Sequence, residues 1–169
     1  MTSTQPIKRA AENGDSATAG SAAIGLISDT HGPLRPEIAP HFTKTTAILH
    51  AGDIVAPEVI EQLAAIAPLY AVAGNMDRDR RLPQNEFLTI AGRNIYVLHN
   101  LDRLGLDPAA AGIEIVVFGH THRPESFTRN GILYVNPGSA GPRRGSLPVS
   151  IAKLHLRENE IRVEFIELD

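Results

Sequence analysis

The strongest constraint on the fold is a rhythm in the first half of the chain: apolar runs of four to six residues, each cut off by a small polar cluster. Ala23-Ile24-Gly25-Leu26-Ile27-Ser28, Ala47 to His50 and Leu69 to Ala73 are too short for helices and carry no polar alternation. They are expected as strands buried on both faces. Glu58-Val59-Ile60-Glu61-Gln62-Leu63-Ala64-Ala65-Ile66, between the last two, has helical periodicity. Pro57 suits a first turn, where its missing N–H is not needed, and Pro68 follows the end. A weaker helix is expected over Arg35 to Phe42. Strands alternating with helices argue for a mainly parallel sheet, because each return to the same sheet edge needs a crossover.

The second half reads differently. Phe87 to Ile90 and Arg93 to Leu98 are strands joined by Ala91-Gly92, a hairpin signal. A short helix is expected over Leu101 to Ala111, weakened by Gly105 and Pro108. Ile113 to Phe118 is a buried strand. Glu125 to Arg129 and Ile132 to Val135 flank the tight-turn pair Asn130-Gly131, and Pro148 to Leu156 and Ile161 to Leu168 complete the set. The front is thus α/β and the rear mostly β, in one domain over 22–169. Residues 1–21 are rich in Ser, Thr, Ala and Gly without periodicity, and are expected as a disordered tail rather than a secretory signal, since they hold no apolar stretch.

Composition narrows the chemistry. With no cysteine in 169 residues, disulfides and thiolate-held zinc are excluded, so any metal must sit on imidazole, carboxylate or amide. A formal net charge of -3 provides no global basic field for nucleic acid. No apolar run approaches the roughly 18 residues that span a bilayer. These features lead us to expect a cytoplasmic protein acting on a small molecule, with no strong sign of nucleic-acid binding and no membrane association; a homo-oligomer is compatible with them.

Five polar clusters interrupt the strands: Asp29-Thr30-His31, Gly52-Asp53, Gly74-Asn75, His99, and Gly119-His120-Thr121-His122. Singly, most have commoner explanations: a cap, a turn, a satisfied histidine at a strand end. Each nevertheless falls at or just after the carboxyl end of an expected strand, where α/β sheets gather ligands. Asp29, His31, Asp53, Asn75, His99, His120 and His122 together supply nitrogen and oxygen donors suited to Mn, Fe, Ni or Zn. Seven donors are too many for one tetrahedral ion and enough for two ions sharing a carboxylate, the arrangement that clamps phosphoryl groups. Gly52, Gly74 and Gly119 each precede a candidate ligand, where tight backbone approach is needed.

In this order, Asp-x-His, Gly-Asp, Gly-Asn-x-Asp, His, Gly-His-x-His, the sequence resembles the calcineurin-like metallophosphoesterase superfamily. It is most similar to the small bacterial and archaeal phosphodiesterases related to the retromer scaffold subunit. Ser28 to Gly32, His50 to Ile54, Gly74-Asn75-Met76-Asp77 with Leu82-Pro83 downstream, and Asn136-Pro137-Gly138-Ser139 carry the likeness. The resemblance implies an α/β fold, a four-layer α-β-β-α sandwich of two mixed β-sheets flanked by helices. It implies a phosphoric ester hydrolase, most of all a phosphodiesterase, with two divalent metal ions, manganese among the candidates. Asp29, His31 and His122 would hold the first ion, Asn75, His99 and His120 the second, with Asp53 bridging them, and a metal-bridging water or hydroxide would be the nucleophile. Asn75 would also orient the substrate. A non-catalytic scaffold of the same fold, and a phosphomonoesterase or nucleotide hydrolase, are the alternatives.

Two positions depart from the pattern. Larger relatives carry a histidine after the Asn, whereas Met76 cannot transfer a proton; Asp77 is the expected proton donor to the leaving group, with water as the substitute. After His99, Asn100 and Leu101 replace the usual glycine and, often, a histidine. Arg78 and Arg81 follow the Gly-Asn-x-Asp motif and are expected to contact a substrate phosphate, with a solvated loop as the alternative for this run, as for Arg143 and Arg144. His50 is expected to support Asp53 or simply to pack. Asn136 to Ser139 are expected as a turn that shapes the site, and His41 and His155 as surface or packing residues.

Overall fold

The computed structural model describes residues 20–168; the expected disordered tail lies outside the described residues but for its last two positions. Ten strands form two five-stranded sheets. The first has the order β10-β9-β1-β2-β3, with β1 at Ala22–Ile27, β2 at Ala47–His50, β3 at Leu69–Ala71, β9 at Val149–Arg157 and β10 at Glu160–Leu168. β1, β2 and β3 are parallel neighbours, with Ile24 opposite Ala47 and Ile48 opposite Leu69. β9 and β10 extend the sheet antiparallel on the other side of β1. The second sheet has the order β4-β5-β6-β8-β7, from β4 at Asn85–Ile90, β5 at Arg93–Leu98, β6 at Ile115–Val117, β7 at Pro124–Arg129 and β8 at Ile132–Pro137.

Both hairpins form at the glycines expected to turn them, with Ile90 opposite Arg93 and Arg129 opposite Ile132. Strand period two then sorts the side chains. Ile24, Leu26, Leu49, Ala152 and Leu154 of the first sheet meet Ile95, Val97, Ile115, Val117 and Val135 of the second in one buried cluster. Fully burying each large aliphatic side chain contributes about 1.5–3 kcal/mol, so this interior holds the two sheets face to face.

On its outer face the first sheet carries α1 (Ile38–Phe42) and α2 (Glu58–Ala64). Their buried faces, Ile38 and Phe42, Val59 and Leu63, pack with Ile27, Ile48 and Ile151. Pro57 is the N-cap of α2, and Glu58 and Glu61 lie in its first turn, where acidic groups complement the positive helix end.

The expected fourth layer is reduced. In place of a helix over Leu101 to Ala111, the chain forms one 3-10 turn at Leu101–Arg103 and then runs irregularly. Gly105 and Pro108 each disfavour helix in so short a segment. Leu101 and Leu104 still cover Tyr96, Leu98, Val116 and Tyr134 on that outer face. The architecture is therefore two packed mixed sheets, helical on one outer side and loop-covered on the other.

Candidate metal centre

The loops leaving β1, β2, β5 and β6 and the segment after β3 converge at one edge of the sandwich. Backbone bonds tie them together: Asp29 N–H donates to the Gly52 carbonyl at 2.9 Å, His31 N–H to the Asp53 carbonyl at 3.1 Å, and Gly119 N–H to the His99 carbonyl at 2.9 Å. Five of the seven expected donors, Asp29, His31, Asp53, His120 and His122, have positive φ, between 48° and 70°. Non-glycine residues rarely adopt this region, and such strain gathers where surrounding structure must aim a side chain. Two glycines are required by close approach. A Cβ on Gly74 would collide with the Asp53 carboxylate, and one on Gly119 with the Ser28 hydroxyl.

The donors form two groups. In the first, His122 Nε2 lies 3.3 Å and His31 Nε2 3.6 Å from Asp29 Oδ1, and the two ring nitrogens are 3.3 Å apart. The rings stack at 5.0 Å between centroids. In the second, Asn75 Oδ1 lies 3.1 Å from both His99 Nε2 and His120 Nδ1. Asp53 stands between them, with Oδ2 3.8 Å from His31 Nε2 and 3.5 Å from His99 Nε2. Asp53 Oδ1 accepts the Met76 N–H at 2.8 Å, which fixes the carboxylate's orientation.

These residues fit divalent cations. Asp29 Oδ1 is buried and has no hydrogen-bond partner, although a buried carboxylate oxygen without one is costly. Donors about 2.1 Å from a shared ion would lie about 3.0–3.4 Å from one another, and the closest spacings here are of that size. His99 Nδ1 donates to the Ala51 carbonyl at 2.7 Å, so the other ring nitrogen presents its lone pair inward, the usual support for a metal-binding imidazole. Asp29, His31 and His122 satisfy the geometry of a cation-binding cluster, as do Asp29, Asp53 and His99.

Electrostatics follow the same division. Burial pushes His99 down, but the Asp53 carboxylate, the Asp29 charge and the Ala51 carbonyl outweigh it and the net shift is upward. Burial pushes Asp53 up, yet the hydrogen bonds from His99 and the Met76 N–H prevail, and its pKa is lowered. Burial, then the Arg144 charge, lowers His122. His50 is wholly enclosed; burial first, and His99 second, lower it to about 3. Its neutral ring accepts the Gly52 N–H on Nδ1 at 3.2 Å and contacts Thr30 Oγ1 with Nε2 at 3.3 Å. It thus links the loops that carry Asp29 and Asp53.

Two of the expected substrate-side residues have partners within the chain. Asp77 is engaged with backbone. Its Oδ1 accepts the N–H groups of Ile54 and Val55 at 2.9 and 2.8 Å, and its Oδ2 that of Gly74 at 2.8 Å. Those bonds bind the Asp53 loop to the Asn75 loop and hold Val55, a β-branched residue, at φ 66°. Arg81 is exposed and pairs with Asp79, with Nη2 2.8 Å from Oδ2. Arg78 lines a separate hollow with Asp77 and Arg80. The Arg144 guanidinium reaches the donors, with Nη2 3.5 Å from His31 Nε2. The sequence offered Arg143 and Arg144 alike, and a loop more than a hundred residues away delivers Arg144. Asn136 Nδ2 donates to the Gly119 carbonyl at 3.0 Å, and Ser139 Oγ to the Asp29 carbonyl at 3.0 Å, so this turn does brace the site.

Two face-to-face mixed sheets with nitrogen and oxygen donors converging at one edge define the class: a metal-binding α/β sandwich of the phosphoesterase type. Residues 23–159 match the model of the calcineurin-like phosphoesterase superfamily domain, and the chain belongs to that family. It is 34% identical over 163 residues to a probable metallophosphoesterase of Methanocaldococcus jannaschii, covering 89% of this chain and 83% of that one. Its fold is shared with an archaeal phosphodiesterase at a TM-score of 0.73 and 22% identity, over 85% of this chain and 99% of the other. It is also shared with vacuolar protein sorting 29 of Cryptosporidium parvum, at 0.70 and 22%, over 88% and 98%.

Proposed function

We propose that the protein is a phosphodiesterase with a two-metal centre. The observation that carries this reading is the position of Asp53 Oδ2, within 4 Å of a nitrogen from each donor group, 3.8 Å from His31 and 3.5 Å from His99. Asp29, His31 and His122 would hold one ion, and Asn75, His99 and His120 the other, with Asp53 shared. Divalent cations such as manganese held there supply an activated water as nucleophile and positive charge to the phosphoryl oxygens.

The chain's own residues do the rest. His50 and Asp77 hold the Asp29, Asp53 and Asn75 loops in register. The Asn75 amide and the Arg144 guanidinium flank the centre and supply donors to a phosphoryl oxygen. No side-chain acid is placed for the leaving group: Met76 is apolar and 56% exposed, and Asp77 faces backbone amides. The leaving alcohol therefore takes its proton from solvent, which favours esters of acidic alcohols. Among the described residues no helix is long and apolar enough to cross a membrane, and a cytoplasmic setting goes with this reading.

The deciding experiment strips the protein of metal and restores Mn, Ni, Co, Zn or Mg singly. Turnover of bis(p-nitrophenyl) phosphate should return with at least one ion and exceed that of p-nitrophenyl phosphate. Silence with every ion would sink the enzyme reading in favour of a scaffold, and a reversed preference would make it a monoesterase.

A further inference from the structure

A cavity of about 560 Å³ opens beside Asn75, His99 and His120, within the roughly 300–1,000 Å³ typical of small-molecule sites. Gln84, Asn85, Asn100, Tyr96 and Arg103 also line it, so amide, phenol and guanidinium groups are carried by its lining residues. No carboxylate lines it. Arg103 sits where the 3-10 turn ends, and that turn is capped by Asn100, whose Oδ1 accepts the Asp102 N–H at 3.0 Å. Arg81, Arg93, Arg157 and Arg162 each pair with a carboxylate. Among the described residues Arg103, an exposed side chain, has no such partner, as is true of most of the arginines; what sets it apart is its place on this cavity. A guanidinium on an acid-free wall, in the same cavity as three candidate metal donors, offers an anion a charged partner.

We propose that this cavity takes the ester arm of the substrate and that Arg103 binds a second phosphate on that arm. The substrate class is then a phosphodiester of a hydrogen-bonding, nucleoside-like or sugar-like alcohol that carries another phosphate. The three amides match ring and hydroxyl groups of such an alcohol. With the guanidinium they also offer more donors than a two-oxygen carboxylate accepts, which favours a phosphate at the far end. The proposal rests on the phosphodiesterase reading above.

Two probes test it: thymidine 5′-(p-nitrophenyl phosphate) and the same ester bearing a 3′-phosphate. For the metal-loaded protein, kcat/KM should be at least about tenfold higher for the 3′-phosphorylated ester, through KM, as one charge-assisted pair supplies. In Arg103→Ala the ratio should fall to near one, Arg103→Lys should retain part of it, and Arg157→Ala, on the far β9 hairpin, should leave it intact. Calorimetry of thymidine 3′,5′-bisphosphate against thymidine 5′-monophosphate reads the same preference without turnover, and Arg103→Ala should erase it. No preference in the unmodified protein, or a preference that survives Arg103→Ala, overturns the proposal. Failure to hydrolyse either ester breaks the phosphodiesterase reading alone, because the calorimetric difference still decides Arg103.

Discussion

The two groups of candidate donors differ in their surroundings, although His99 is as buried as His122. At one end Asp29 is fully buried and His122 nearly so, the histidine rings stack, and Asp29 Oδ1 has no hydrogen-bond donor. At the other, His120 is exposed and Asn75, His99 and His120 form the wall of an open cavity. A donor removed from the closed end leaves a charge in a place water cannot fill, whereas at the open end solvent can replace a lost ligand. On the two-metal reading proposed above, the closed end would retain a cation and the open end would admit a substrate.

The largest effect should come from the residue both ends share. Asp53→Ala should lose both ions, measured as metal content, and reduce turnover by about a thousandfold or more, since it removes several kcal/mol of charge stabilisation. Full metal content in that variant would show that the ends do not share Asp53.

The asymmetry itself is read by equilibrium dialysis of two further variants. His122→Ala should weaken metal retention about tenfold more than His120→Ala, a difference of the size that supporting interactions at metal sites command. Equal losses would erase the distinction between the ends. Asp77→Asn keeps the volume but turns an amide N–H toward a backbone N–H, at Gly74 or at Ile54 and Val55. The cost should be about 1–3 kcal/mol in thermal or urea unfolding. Turnover should fall about tenfold to a hundredfold as the Asp53 and Asn75 loops drift apart. A destabilised protein with unchanged kcat would make Asp77 structural only.

A separate effect, on stability and not on metal or turnover, concerns pH. In the metal-free protein His50 stays neutral down to about pH 3, while in the unfolded chain it protonates near its ordinary value of about 6.5. The unfolded state binds more protons between those values, so stability falls as pH drops from about 6.5 to about 3. This one residue contributes up to about 1.4 kcal/mol per pH unit in that window. Above it, His50 contributes no pH dependence. His50→Gln should flatten the acid limb of the unfolding midpoint against pH; an unchanged slope would place the acid sensitivity elsewhere.

Much of the frame was legible in the chain. Ala47 to His50 and Arg93 to Leu98 are strands over the expected residues, because apolar runs of that length bounded by turn formers have few other uses. The expected helix at Leu101 to Ala111 shrank to a single turn, since Gly105 and Pro108 outweigh the apolar spacing. The donors were visible because each interrupts an apolar strand with a group that must justify its position there. Asp77 was less legible: an acid next to a metal motif has the composition of a catalyst, and only the tertiary structure gives its carboxylate three backbone N–H partners.

By itself, then, the order of residues determined which candidate donors come together, because strand length and glycine position force their loops to one sheet edge. What only the tertiary structure decided was the direction of each side chain. Arg144 reaches His31 across 113 positions, Arg103 turns to the cavity from a capped 3-10 turn, and Arg81 spends its charge on Asp79. Charged side chains on loops have many rotamers, and packing alone chooses among them.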